Sequence, residues 1–212
     1  VTVEGKISTT LMAVAGFKSM DVGATSVANV GSQALEMVLV LDNTGSMAGT
    51  KIANLKSAAI NLVNIIQSEA SDYSKVKIGL VPFAEYVNVG MANAGAAWID
   101  STGPDAVGFA GCVGSKNSPN DEKPGPAGGD YPALGGVPCN VPLLPLTSNL
   151  ESVKTHLAGM VSTGATYIPT GLLWGWNLLD TKAPFTEASS DVELKKINGR
   201  KALVLMTDGE NT

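Results

Sequence analysis

An apolar run at residues 37–41, MVLVL, breaks off at Asp42 and continues as Asn43-Thr44-Gly45-Ser46, and a second run at 202–206, ALVLM, breaks off at Thr207-Asp208-Gly209. In both places a carboxylate stands where a buried strand would end and a loop begin. Thr44 and Ser46 add two hydroxyls on a turn that Gly45 permits, two residues apart and able to face one point. A third hydroxyl can come from Thr166, in the loop Thr163-Gly164-Ala165-Thr166. Oxygen donors carrying few charges suit Mg²⁺, which takes about six oxygens in a tight octahedron and keeps some of them as water. Asp42, Thr44, Ser46, Thr166 and Asp208 are therefore the candidate metal ligands, with Mg²⁺ or Mn²⁺ the expected ion and Ca²⁺ behind them. Each piece has a plainer explanation as an ordinary turn, a helix cap or a loop start. It is their joint occurrence, in this order and at strand ends, that points to a cation site.

Other chemistry finds less support. His156 is the one histidine and falls within a helical pattern, where it is expected to face solvent, and no G-x-S-x-G surrounds a serine, so a Ser-His-Asp triad has little basis. Residues 45–51, GSMAGTK, lack the order of a phosphate loop, and no G-x-G-x-x-G occurs. Asp42-Asn-Thr-Gly-Ser is similar to the phosphorylated Asp-Lys-Thr-Gly-Thr of P-type ATPases and haloacid-dehalogenase relatives, in which Asp42 would attack phosphorus. Against that alternative, Asn43 replaces the lysine, Thr44 supplies no acid–base carboxylate, and Thr212 replaces the second Asp of the later motif. The expected class is a binding protein rather than an enzyme.

The elements that must hold these residues follow from periodicity. Ile52, Leu55, Ala59, Leu62 and Ile66 recur at helical spacing and predict an amphipathic helix over 51–68. KVKIGLVPF after it reads as a buried strand, with YVNVG at 86–90 as a hairpin or edge partner. Between Met91 and about Pro145, Gly and Pro dominate and no period holds, which marks an insertion outside the core, placed at 91–147. Ser148 and Glu151 have capping-box spacing ahead of a helix carrying Leu150, Val153, Leu157 and Met160. A further helix begins near Pro169 and carries Leu172, Leu173, Trp176 and Leu179, with both tryptophans of that stretch assigned to the core. Near the start, Ile7, Leu11, Val14 and Ala15 allow a helix, while Met20, Val22, Ala24 and Ser26 alternate like a strand. Strands alternating with helices predict an α/β fold, a doubly wound, mostly parallel, Rossmann-like sheet with helices on both faces, and ligands beyond the carboxyl ends of its strands.

Composition excludes several function classes. The 212 residues are 44% hydrophobic and 16% charged with net charge −5, and Lys and Arg are scattered, so the basic stripe that nucleic-acid binding needs is missing. The longest strongly apolar run, Leu172 to Leu179, is far short of the roughly 20 residues of a bilayer span, so no membrane contact is expected from this segment itself. Any leader or anchor is expected to lie outside it. Cys112 and Cys139 bracket a Pro-, Gly- and Asp-rich stretch unable to hold its own shape, and they are read as a disulfide. The alternative is two free buried thiols. Two cysteines and a distant histidine are too few for zinc.

A family resemblance can now be stated. Asp42-Asn43-Thr44-Gly45-Ser46 matches the D-x-[ST]-x-S signature of the metal-ion-dependent adhesion site of von Willebrand factor type A domains, and Gly164-Ala165-Thr166 and Thr207-Asp208-Gly209 match its second and third loops. LPLTSN, TYIPTGLLWGWNLLD, APF and VLMTDGENT make the chain look most like the type A domain of bacterial Tad-type pilus assembly proteins over most of residues 36–212. The resemblance implies that Thr44 and Ser46 bind metal directly, that Asp42 and Asp208 act largely through water, and that Thr166 does either. The open position would capture an Asp or Glu of a protein partner, a pilus component or a surface ligand. It further implies a periplasmic or cell-surface location and a parent anchored in the inner membrane. The expected division is a segment 1–34 followed by a type A domain over 35–212 that stops before the family's last strands and helix. The competing reading is a structural envelope or pilus domain whose metal site is vestigial or only stabilising.

Overall fold

The computed structural model describes residues 2–8, 19–25, 34–70, 72–127, 129–139 and 141–208, and the chain divides into two compact units, Val1–Gly31 and Ser32–Thr212. In the first, β1 (Thr2–Ser8) and β2 (Ser19–Thr25) pair antiparallel with Ile7 opposite Met20. Ile7 is thus in a strand, not in the helix its spacing allowed. Leu11, Val14, Ala15 and Ser26 lie outside the described residues.

The second unit runs β3 (Leu35–Asp42), α1 (Thr50–Glu69), β4 (Val76–Phe83), β5 (Val87–Asn88), β6 (Ile99–Asp100), β7 (Phe109–Val113), β8 (Tyr131–Gly135), β9 (Leu144–Thr147), α2 (Leu150–Gly159), α3 (Ile168–Leu179), α4 (Asp191–Lys196) and β10 (Arg200–Met206). Strand β3 lies between β10 and β4, parallel to both, with Leu41 opposite Met206 and Pro82. Because side chains alternate along a strand, Met37, Leu39 and Leu41 enter one core and Val38 and Val40 the other. The first core takes Leu55, Ala59, Val63 and Ile66 of α1 with Leu150, Val153 and Leu157 of α2. The second takes Trp174 and Leu178 of α3. Helix α3 approaches closely because two of its residues have no side chain: a methyl at Gly171 would stand 2.5 Å from the Phe83 ring, and one at Gly175 would stand 2.6 Å from Val40 Cγ2.

The expected doubly wound, mostly parallel sheet is not what forms. Strand β9 closes the first sheet antiparallel to β4, and a second sheet in the order β5-β7-β8-β6 pairs β5 with β7 and β7 with β8 antiparallel. Among the described residues of this unit three pairings are antiparallel and three parallel, so the architecture is mixed. The reason lies in the stretch read as an insertion outside the core. Its strands are two to five residues long and interrupted by Gly and Pro, too short for a period to register. They nonetheless send Ile99, Val113 and Tyr131 into the same core as α3, joined by Trp98 just ahead of β6. YVNVG contributes β5, which pairs with β7 rather than with β4.

Local signals fared unevenly. The cap of α2 is Asn149, whose side chain accepts from Ser152 N at 3.1 Å, in place of the Ser148 box. A capping box does occur at Ser190 and Glu193, opening α4, an element that periodicity did not indicate. At the amino end of β3, buried Glu36 accepts from Lys77 Nζ at 3.0 Å and from Ser189 Oγ at 2.7 Å, which ties the segment before α4 to the sheet. Cys112 of β7 and Cys139 are disulfide-bonded, with Cα atoms 5.8 Å apart.

Candidate metal centre

Asp42 ends a strand whose last seven residues are all buried, and it has no exposure of its own. A carboxylate there must be satisfied by donors or it would cost several kcal/mol. Its Oδ1 accepts from Thr44 N at 2.9 Å and Thr44 Oγ1 at 2.7 Å, an Asx turn that fixes the loop, and its Oδ2 accepts from Thr207 Oγ1 at 2.7 Å. Thr207 can do this because β10 runs parallel to β3 in a register that leaves both residues one step beyond the Leu41–Met206 pair.

From Thr44 the oxygens continue outward. Thr44 Oγ1 and Ser46 Oγ are 3.0 Å apart, Ser46 Oγ donates to Asp208 Oδ1 at 3.3 Å, and Asp208 Oδ2 receives Lys51 Nζ at 2.9 Å. A single turn of 3-10 helix at Gly45–Met47 produces this spacing, with Met47 buried beneath it. The structure therefore brings Asp42, Thr44, Ser46 and Asp208 into one chain of contacts. The loop of Thr166 is laced to the first loop by backbone bonds: Gly45 N donates to Gly164 O at 2.9 Å and Thr163 N to Asn43 O at 2.8 Å. Gly164 has a φ of +79°, the left-handed region that favours glycine. Thr166 follows two residues later, buried. Asn43 is also buried and donates through Nδ2 to Val161 O at 3.3 Å.

The donor set is hard oxygen, two carboxylates and hydroxyls, which fits Mg²⁺ or Mn²⁺ in type. Among the described residues no group of three His, Cys, Asp or Glu side chains gathers as a metal cluster, and the carboxylates that they bring to this cluster are Asp42 and Asp208. Lys51 offsets part of it. Lys51 and Thr207 are not among the candidate metal ligands that the sequence indicates. Lys51 left a signal, because a cation in the first turn of α1 opposes the helix dipole and calls for a nearby anion. Thr207 left its place at a strand end and in the motif's third loop.

His156 is half-buried on α2, with Nδ1 3.0 Å from Ser152 O, and takes no part. The two tryptophans assigned to the core separate. Trp174 is fully buried and Trp176 is 62% exposed. Residues two apart on a helix point about 200° from one another, so one apolar face cannot take both.

No family model matches the chain, and no curated protein does. Solved structures similar to it include the pilus adhesin SpaC from Lactobacillus rhamnosus GG in an open conformation, at 20% identity and a TM-score of 0.46, covering 87% of this chain and 16% of that one. Another holds three N-terminal domains of a type V pili tip protein from Porphyromonas gingivalis, at 16% identity and a TM-score of 0.45, covering 85% of this chain and 20% of that one. A third is an adhesive tip pilin from Group B Streptococcus agalactiae, at 19% identity and a TM-score of 0.46, covering 85% of this chain and 46% of that one. The chain thus spans less than half the length of each. The resemblance to von Willebrand factor type A and Tad-type domains is corrected accordingly. The sheets are mixed, with antiparallel pairings of β4 with β9, β5 with β7 and β7 with β8, where that resemblance implies one doubly wound, mostly parallel sheet.

Proposed function

We propose that the chain is a pilus-related structural or adhesive domain, exposed at the cell surface or in the periplasm, whose oxygen cluster ties its loops together and takes a divalent cation as a stabilising ion. The observation that carries this reading is the run of contacts from Thr207 through Asp42, Thr44 and Ser46 to Asp208, ending on the ammonium of Lys51. Lys51 already places positive charge on Asp208, so the cluster can act as a structural clasp, and Mg²⁺ or Mn²⁺ would compete with Lys51 for it. When bound, the ion would supply a stronger positive centre to the Thr44 and Ser46 hydroxyls and the two carboxylates. The Cys112–Cys139 disulfide agrees with an oxidising compartment. Among the described residues no helix is long and apolar enough to cross a membrane.

A second reading is favoured by one observation. Ser46 is exposed while Thr44 and Asp42 are buried, so the outer side of the cluster is open to a ligand from solution. There the ion would capture an Asp or Glu of a protein partner, a pilus component or a surface ligand. An enzymatic role for Asp42 is disfavoured, since it has no exposure and already accepts from three donors, a setting that suits a held carboxylate better than a nucleophile that must reach phosphorus.

Thermal unfolding with and without Mg²⁺ tests the proposal. An ion at about 100 times its Kd should raise stability by about 2.7 kcal/mol, and Asp208→Ala should abolish the gain. No change in melting with Mg²⁺ or Mn²⁺ would remove the cation from the proposal. Partner binding that is lost with chelator and restored by Mg²⁺ would favour the second reading.

A further inference from the structure

Trp176 stands out as a large aromatic residue turned away from the core on a helix whose Trp174 and Leu178 are fully buried. It is 62% exposed, Leu172 one turn earlier is 39% exposed, and both line a cleft of about 350 Å³ between α3 and the loop at 115–124. That volume is at the lower end of small-ligand pockets, roughly 300–1,000 Å³. Tyr167 and Pro124 continue its apolar walls, and Asp121 and Glu122 stand on the loop side. Among the described residues neither carboxylate has an ion-pair or hydrogen-bond partner. The neighbouring cation, Lys123, is directed elsewhere, with Nζ donating to Asn120 Oδ1 at 2.7 Å.

The loop that presents the two acids is held in place from beneath. Buried Lys116 donates through Nζ to the carbonyls of Lys123, Gly125 and Ala127 at 2.6, 2.8 and 2.9 Å, and its ammonium sits 4.8 Å from the centre of the Tyr131 ring. Gly125 N donates to Asn177 Oδ1 at 2.7 Å, and Asn177 Nδ2 donates to Tyr131 OH at 2.9 Å, which pins the loop to α3 itself. The two walls are therefore fixed relative to one another, so a ligand need not order them.

We propose that this cleft takes a Lys or Arg side chain from an extended segment of a protein partner. Its alkyl stem would lie along Trp176 and Leu172, and its cation would face Asp121, Glu122 and the indole ring. Charge complementarity selects this occupant: two uncompensated carboxylates beside an exposed indole attract a cation and repel an acidic segment. A sugar would also stack on Trp176, but it needs several directed polar groups. The hydroxyls at the cleft, Ser115 Oγ and Thr170 Oγ1, lie 3.3 Å apart and bond to one another. The inference does not depend on a cation at Asp42 and Asp208.

The test uses the full chain and a capped Leu-Arg-Leu tripeptide, with Leu-Glu-Leu and methyl β-glucoside as competitors in kind. The Trp176 indole resonance, assigned with Trp176→Phe, should shift saturably with the arginine peptide, less as salt rises, and not with the glutamate peptide. Asp121→Asn with Glu122→Gln should weaken binding about three- to tenfold. Trp176→Ala, read on the Leu172 methyl signals, should weaken it at least as much. Glu122 and Trp176 are exposed and Asp121 is half-buried, and an unchanged melting temperature verifies the fold. Equal binding of the glutamate peptide, or no shift with either peptide, would overturn the proposal. A shift with the glucoside in place of the arginine peptide would also overturn it and assign the cleft to carbohydrate.

Discussion

The hydroxyl of Thr207 donates to the carboxylate of Asp42 across 2.7 Å, joining residues 165 positions apart in the chain at the ends of two neighbouring parallel strands. With Thr44 N and Oγ1 on the other oxygen, Asp42 is the acceptor on which three donors depend. The apparent metal ligand is also a structural post.

Asp42→Ala should therefore lower stability by about 2–4 kcal/mol, since it leaves buried donors without an acceptor. Urea unfolding measures this. Ser46→Ala, at an exposed position, should cost well under 1 kcal/mol, and equal losses from the two would contradict the buried-post role.

Lys51→Met should raise the affinity for Mg²⁺, because it removes the cation that holds Asp208 Oδ2 at 2.9 Å. Calorimetric titration should give a Kd lower by about threefold to tenfold, the range expected for a half-exposed ion pair. An unchanged or weaker Kd would show that Lys51 does not compete for the site.

Reduction of the Cys112–Cys139 disulfide should destabilise the unit that contains β7 and β8. Closing a loop of 27 residues is worth about 3.5 kcal/mol in the chain-entropy picture. Melting in the presence and absence of reductant, with Cys112→Ala/Cys139→Ala as control, should show that loss. Mass spectrometry finding two free thiols in oxidised material would remove the tie.

Glu193 is held below its ordinary carboxylate range, first by the Ser190 hydroxyl and then by the Ser190 backbone N–H. A depressed carboxylate stabilises the fold above its unfolded pKa and loses that contribution as pH falls through the lower folded value. The first turn of α4 should accordingly loosen in acid, and Ser190→Ala should move the Glu193 titration, followed by NMR, upward. A titration unmoved by the substitution would mean that the capping box does not hold the carboxylate.

Long, strongly patterned pieces are legible in the residues alone. MVLVL forms β3, ALVLM forms β10, and the helical spacing from Ile52 to Ile66 forms α1, because each buries a face whose period is written in its own side chains. Asp42, Thr44, Ser46 and Asp208 are legible for a related reason: polar residues that follow an apolar strand sit at its end, although of the two runs read as buried only β3 is so, β10 being half-buried with Leu203 exposed.

The remainder is decided by contacts between segments. No local pattern states that Phe109–Val113 and Tyr131–Gly135 pair antiparallel and bury Trp98 and Tyr131 against α3, since strands this short owe their existence to the partners they meet. That second sheet, with β9, turns an expected parallel fold into a mixed one. The same limit applies to charge and exposure. The sequence determines that Lys51, Asp121, Glu122 and Trp176 exist; the packing of α3 turns Trp174 inward and Trp176 outward, and the register of β10 on β3 sets Asp208 against Lys51. Periodicity records which face an element buries, whereas the neighbours of an exposed side chain depend on residues far along the chain, and only the folded arrangement brings those together.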